Sequence, residues 1–228
     1  LALPTPINAD GSVHLENIRH SLSQIENGRH IVIKSSVPPG TCVRLQAEFP
    51  KINIVFNPEF LREISSVEDF ANQSHIILGG RDTSLASAVY QKAFPQTEIH
   101  CTDTTSAEMT KFFVNTYLAT KVSFCNEIYT ICEKLDVSYD VVRDLTLLDS
   151  RIGSSHTSVP GTPTEKCISG RGIGGMCFPA NVSILIQECL KMDVDCKILK
   201  AVQERNNTID RPEKDWMVPG KTILGAGK

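Results

Sequence analysis

The chain has 228 residues, 41% of them hydrophobic and 21% charged, with a net charge of −3 when its six histidines are neutral. That balance describes a soluble globular chain of one or two domains. With a pI near 6.1 and no Lys/Arg run, it excludes a nucleic-acid or membrane-surface binder. No apolar stretch approaches the ~18 residues that span a bilayer. The opening Leu1 to Pro6 lacks the basic region and cleavage site of a signal peptide. Eight cysteines form no Cys-x-x-Cys pair, and the closest spacings, seven residues at 125/132 and 189/196, put both members on one face of a helix. This argues for buried, reduced thiols in a cytoplasmic protein, with no disulfide framework and no metal site.

Up to about residue 104, short apolar runs alternate with amphipathic ones. Strands are expected at 1–3, 30–35, 52–56, 75–79 and 97–101, and helices at 14–27, 40–48 and 83–93. Such alternation implies βαβ units and a mostly parallel, Rossmann-like sheet covered on both faces. Three strands end in polar chemistry, at Pro4-Thr5-Pro6, at Lys34-Ser35-Ser36 and at Asn57-Pro58-Glu59. In open α/β sheets ligands bind outside the carboxyl ends of strands, so Thr5, Ser35, Ser36 and Glu59 are expected along one ligand edge. Taken singly, each is equally a turn or cap residue.

From Thr105 to Leu135 there is no Gly or Pro for 31 residues, and apolar residues recur at helical spacing, which gives one helix about 45 Å long. Lys111 and Asn115 stand one turn apart on it. Phe112, Phe113 and Val114 beside them suggest a face turned towards protein. A helix at 139–148, an irregular loop to 176, helices at about 179–191 and 194–208 and a linker at 209–220 complete an all-helical second part. Leu1-Ala2-Leu3 reads as the end of a strand and residues 221–227 as a strand entering a Gly turn. The chain is therefore expected to be an internal piece of a longer protein. Its parts would be 1–104, the later part of a Rossmann-like domain; 105–208, a central helical domain; and 209–228, a linker and first strand of a third domain.

The segment Gly172-Ile173-Gly174-Gly175-Met176-Cys177-Phe178-Pro179-Ala180-Asn181 is the richest in chemistry. Its glycines let backbone approach a ligand closely. Cys177 stands at the entry to an apolar helical run, where the positive end of the helix favours a thiolate. A Gly-rich turn followed by a buried cysteine is the other reading of the same residues.

Taken in order, these motifs resemble the UDP-glucose 6-dehydrogenase family of nucleotide-sugar dehydrogenases. The matching stretches are Pro4-Thr5-Pro6 with Asp10-Gly11, then Ile33 to Thr41 and Asn57 to Glu63. Ala107 to Lys111 with Asn115, Leu118 to Lys121, Asn126-Glu127, Arg151-Ile152-Gly153 and the Cys177 segment follow. The resemblance implies NAD-dependent four-electron oxidation of the C6 alcohol of UDP-glucose to UDP-glucuronate, through a thiohemiacetal and a thioester on Cys177. It implies Lys111 as the cation for a developing oxyanion, Asn115 for a sugar hydroxyl or ordered water, Glu59 for acid/base work and Ser36, where the family usually has Thr, for a water. It further implies Phe60, Leu61, Glu63, Ile152, Gly153 and Gly174 against the nucleotide sugar, and Pro4, Thr5, Ser35, Glu63 and Cys177 against NAD. A homodimer through the 105–135 helix is also implied.

The chain departs from the family's pattern in four ways. The N-terminal βαβ unit with its G-x-G-x-x-G turn is missing from these residues, as is most of a third domain. Ile64 replaces a Gly. The family's Lys-Asp after Cys-Phe-Pro is Ala180-Asn181 here, which removes the carboxylate that helps activate the hydrolytic water. A degenerate homologue kept for binding or dimerisation, or a dehydrogenase of GDP-mannose or of an N-acetyl sugar, are the alternatives.

Overall fold

A computed structural model describes residues 1–8, 11–61, 65–161, 169–175 and 177–217. The chain divides into two compact units, residues 1–113 and 114–228.

The first unit is a four-stranded sheet in the order β1 (His30–Ile33), β2 (Asn53–Phe56), β3 (His75–Gly80), β4 (Glu98–Thr102). Period-2 alternation sorts its side chains between two cores. Ile54 and Phe56 of β2 face a cluster with Ile18, Leu22, Ile33, Leu45 and Ala107, while Val55 joins Ile76, Leu78 and Ala86 on the other side. Helices α1 (Glu16–Ser23) and α2 (Thr41–Glu48) supply the first cluster and α4 (Ser84–Ala93) the second, so both faces are covered. The predicted strand 1–3 is not formed as a strand; the segment only runs beside β1, where the Leu1 amine donates to Val32 O at 2.5 Å and Lys34 N donates to Leu1 O at 2.8 Å.

The β1/β2 and β3/β4 pairs are parallel, as expected, but β2 and β3 pair antiparallel over Val55↔Gly80 and Phe56↔Gly79. Parallel pairing needs a crossover element packed on the sheet. Among the described residues, the link between these strands holds only one helix, α3 (Ser66–Ala71), six residues with none buried. The sheet is therefore mixed.

The long helix α5 runs Thr104–Lys134, within one residue of its predicted span at either end, and crosses the boundary between the units. In the first unit its Glu108, fully buried, accepts hydrogen bonds from Gly40 N at 2.5 Å and Cys42 N at 2.7 Å. A carboxylate thus satisfies orphan donors at the start of α2, where no residue of α2's own end supplies a side-chain cap. Burial raises the Glu108 carboxyl above its ordinary 4.5, against the Cys42 thiol, the two amides and Arg44, which all favour the anion. Burial and the neighbouring Glu108 push the Cys42 thiol far up.

The second unit packs α6 (Tyr139–Thr146), α7 (Cys177–Lys191) and α8 (Lys197–Arg205) with the remainder of α5. One core joins Ala119, Ile173, Val182, Ile186 and Val202; another joins Cys125, Cys132, Tyr139 and Val159. A π-helical turn, Asn206–Asp210, ends α8. Two expectations for the cysteines are corrected. Cys125 and Cys132 do share α5, but Cys196 caps α8 instead of continuing the helix of Cys189, because α7 ends at Lys191. Their thiols nonetheless hydrogen-bond, and burial followed by that contact raises Cys189. Nor are all thiols buried, since Cys101 and Cys177 are exposed. The predicted strand at 221–227, Cys167 and Asp10 lie outside the described residues.

Candidate active site

At the carboxyl ends of β1 and β2, one buried amide ties four elements together. Asn57 Nδ2 donates to Ile77 O at 2.8 Å, and its Oδ1 accepts from Lys34 Nζ and from Tyr90 Oη, each at 2.8 Å. Burial and the Glu59 carboxylate raise the Tyr90 hydroxyl. Lys34 Nζ also lies 3.6 Å from Glu59 Oε1 and 5.7 Å from the Phe70 ring centre. Sequence reasoning missed this hub. Its signal is a strand ending in Lys beside a strand ending in Asn-Pro-Glu.

Along the expected ligand edge, part of the hydrogen bonding is turned inward. Thr5 Oγ1 donates to Ser36 O at 2.8 Å, and Ser35 Oγ accepts from Leu3 N at 2.7 Å. Ser35 is buried, Ser36 and Thr5 are half-buried and Pro4 is exposed. Glu59, Phe60 and Leu61 line a cleft of about 420 Å³ with Phe70 and His75, the Phe60 and His75 rings being 6.1 Å apart. Glu63 and Ile64 lie outside the described residues.

Among the described residues of this unit, Lys111 is the buried cation. It is 7% exposed, and its Nζ donates to the Glu59 carbonyl at 3.2 Å. Desolvating an ammonium is costly unless it is held by polar partners, so a buried lysine held on a backbone carbonyl marks a place where charge has a use. Asn115, one turn further along α5, is buried to 9% exposure. The face expected to turn towards protein does so.

In the second unit Cys177 is the first residue of α7, a helix of 15 residues, and is exposed. Its carbonyl accepts from Asn181 Nδ2 at 2.7 Å, while Asn181 Oδ1, buried, has no hydrogen-bond partner. A carboxylate could not make that bond, so the amide's orientation belongs to this chain's own residue. Ile152 and Gly153 are exposed, and Lys121 Nζ donates to Gly153 O at 2.6 Å.

The glycines before Cys177 have a reason the sequence did not reveal. A Cβ on Gly174 would meet the Arg211 guanidinium, 2.6 and 2.7 Å from its two terminal nitrogens, and one on Gly172, at φ +67, would collide with the Asn206 side chain. The close approach that these two glycines permit is to protein. Arg211 is fixed by Asp215, with Nε and Nη2 donating at 2.6 and 2.7 Å, and Nη1 donates to Arg171 O at 3.1 Å. Arg171 in turn donates to Thr130 Oγ1 at 2.7 Å and Asp210 Oδ1 at 3.3 Å, and lies 5.0 Å from the Tyr129 ring centre. Arg205 donates to Asp210 Oδ1 at 3.1 Å; its Nε is 3.0 Å from Oδ2 without hydrogen-bond alignment, so that second contact is purely coulombic. Among the described residues no group of three His, Cys, Asp or Glu is placed to hold a metal ion.

Residues 1–96 match the NAD binding domain of the UDP-glucose/GDP-mannose dehydrogenase family, and residues 105–208 match that family's central domain. The chain is 35% identical over 245 aligned residues to the UDP-glucose 6-dehydrogenase YwqF of Bacillus subtilis, covering 100% of this chain and 53% of that protein. It is 31% identical to the UDP-glucose 6-dehydrogenase of Rickettsia felis over 246 residues, again with all of this chain and 53% of the relative. Among solved structures, a UDP-glucose dehydrogenase from the archaeon Pyrobaculum islandicum superposes with a TM-score of 0.77 at 31% identity, over 90% of this chain and 49% of the other. The chain spans about half the length of the curated relatives it matches. With these two domain matches spanning 1–96 and 105–208, the chain belongs to the UDP-glucose/GDP-mannose dehydrogenase family.

Proposed function

We propose that the chain is the cofactor-binding and catalytic portion of an NAD-dependent oxidoreductase that converts the C6 alcohol of UDP-glucose to the carboxylate of UDP-glucuronate. The observation that carries this reading is Cys177, exposed as the first residue of a 15-residue helix in a chain of this family. A thiolate there gains from the helix's positive end and can attack an aldehyde carbon.

Two NAD molecules bound in turn would each supply the acceptor for one hydride from C6. The carboxyl edge of β1 suits the cofactor's nicotinamide-ribose end: neutral hydroxyls at Thr5 and Ser35 beside Pro4 give hydrogen bonds without charge. Residues 1–104 contain no G-x-G-x-x-G turn for a pyrophosphate. In the first oxidation Glu59, directly or through a water held by Ser36, takes the C6 hydroxyl proton, and Lys111 stabilises the oxygen as it becomes anionic. The Cys177 sulfur then bonds to the aldehyde carbon, whose oxygen takes a proton to give a thiohemiacetal. Loss of a second hydride and that proton leaves a thioester. Water adds to the thioester carbonyl, the carbon–sulfur bond breaks, and uronate leaves with Cys177 again a thiol. Asn115 holds a sugar hydroxyl, and Phe60, Leu61, Glu63, Ile152 and Gly153 are assigned to the nucleotide sugar, to which Gly174, backed by the Arg211 guanidinium, offers only its backbone.

In the full-length protein, UDP-glucose should yield two NADH per sugar. Cys177→Ala should abolish uronate formation and any sugar adduct seen by intact mass. Full uronate output from that variant would sink the covalent mechanism.

A second reading, a homologue without turnover, is favoured by the Asn181 amide bonded to Cys177 O where the family has a carboxylate. A mass-stable adduct on Cys177 with no uronate released would select it. We further infer a homodimer through α5, supported by Phe113, Tyr117 and Phe124, each more than 60% exposed on that helix. The domain limits 1–104, 105–208 and 209–228 and a cytoplasmic setting go with the same reading. No helix among the described residues is long and apolar enough to cross a membrane.

A further inference from the structure

Asn206 stands 29 residues beyond Cys177 in a stretch whose sequence carries no catalytic motif. Its side chain is buried and grips one backbone position twice. Oδ1 accepts from Ile173 N at 2.8 Å, and Nδ2 donates to Ile173 O at 3.1 Å. From the other side Asn126 Oδ1 accepts from Gly172 N at 3.2 Å. The Ile173 side chain is itself buried against Val182 and Ile186 of α7. Asn206 opens the π-helical turn, whose wide step is closed by Arg211 N donating to Asn206 O at 2.8 Å. That turn sends Asp210 to Arg171 and brings Arg211 over Gly174. Four successive loop residues, 171 to 174, are thus held by the turn, by Arg211 or by Asn126.

We propose that Asn206 is a positioning residue for Cys177, and that the π-turn exists to aim it. The inference rests on the reading of Cys177 as nucleophile. Only three residues separate the gripped Ile173 from Cys177, and two of them are glycines, one at φ +67. Glycine spreads over more backbone conformations than any other residue. Without a fixed point upstream, the thiol would sample a range of positions instead of one at the start of α7. Reactivity at a carbon depends on placement within about 0.5 Å, and a displacement of about 1 Å costs up to about 10²-fold. π-turns within α-helices recur at functional sites, and here the turn has an assigned task.

The test is iodoacetamide labelling of the full-length protein, read by peptide mass spectrometry at pH values either side of an ordinary thiol pKa of about 8.5. In the wild type Cys177 labels first. In Asn206→Ala its rate at neutral pH falls about tenfold and the midpoint of its pH dependence moves upward, while exposed Cys101 and half-buried Cys196 keep their rates. Asn206→Asp, which keeps the acceptor for Ile173 N and loses the donor for Ile173 O, falls between. An unchanged Cys177 rate and midpoint in Asn206→Ala overturns the proposal. So does a common acceleration of Cys125, Cys189 and Cys177, which would mean general loosening, and so does loss of fold in both variants, which would make Asn206 purely structural. If another thiol labels first in the wild type, the nucleophile reading fails instead, and the two failures are told apart.

Discussion

Two helices of this chain are buried in different ways. The buried face of α7 is apolar apart from Asn181, with Val182, Ile184, Leu185, Ile186 and Cys189 as its core contacts. The buried face of α5 mixes Ala107, Phe112, Ala119, Cys125 and Cys132 with Glu108, Lys111, Asn115, Thr116, Ser123 and Asn126, while Phe113, Tyr117, Phe124 and Ile131 point outward. Helix α7 is held by the ordinary gain from apolar burial. Helix α5 hides groups that are costly to bury and exposes groups that are costly to leave in water. Its polar residues are committed to tasks: capping α2 from Glu108, meeting the Glu59 carbonyl from Lys111, and holding the Gly-rich loop from Asn126. Its exposed aromatics form a surface that a second copy can cover.

The contrast makes its largest claim at Lys111. In the full-length protein Lys111→Ala should cost about 10³-fold in kcat, the scale of losing a preorganised charge at a developing oxyanion, with thermal stability little changed. Steady-state NADH formation measures it, and a loss under fivefold would make the buried polar face structural only.

The exception on α7 is the next lever. Asn181→Asp should raise steady-state turnover by about 10²-fold, at the low end of general-base assistance, and should raise the NADH burst less. The new carboxylate loses the bond to Cys177 O, so a melting temperature lower by a few degrees is expected alongside. Equal burst and steady-state rates before and after the change would show that hydrolysis does not use this position.

On the outward face of α5, replacing Phe113 and Tyr117 together by Ala should weaken self-association by about 2 kcal/mol, some 30-fold in Kd. Sedimentation velocity reads it. A wild type that stays monomeric at high micromolar concentration would leave the exposed aromatics without their expected partner.

The smallest effect is a pH dependence. Glu108 has its folded pKa raised above 4.5, so the stability tied to its proton is fully present below pH 4.5 and is lost as pH rises through the folded value. Glu108→Gln removes that slope. Because its amide can accept only one of the two N–H bonds well, it should cost about 1–2 kcal/mol at low pH and less as pH rises. Urea midpoints at several pH values above 4 distinguish this from a uniform loss.

Much of this was legible from residue spacing. The absence of Gly and Pro from 105 to 135 announced α5, and of the two aromatics that suggest a buried face at Lys111, Phe112 is buried while Phe113 points outward. The alternation of runs gave four strands at the right places, because β-branched clusters are local signals. Long-range pairings were not legible. Nothing near Glu108 says that it caps a helix 66 residues earlier, and nothing in the stretch at 209–220, which reads as a linker, says that Arg211 lies on Gly174. A π-turn has no composition of its own; Asn206 followed by Asp210 and Arg211 at the end of an amphipathic helix is its only trace. The glycines were read as room for a ligand, since the sequence does not show what else approaches them.

The boundary between the two compact units falls inside α5, between residues 113 and 114, and not in a loop. This has a consequence for heredity. A gene exchange between two relatives at residue 104, where the helix begins, would give α2 an end from one parent and its Glu108 from the other. Ala107 and Lys111 would likewise part from the sheet they pack on. Positions 40 to 42 and 108 are therefore expected to travel together through recombination, as one inherited block that straddles the helix start.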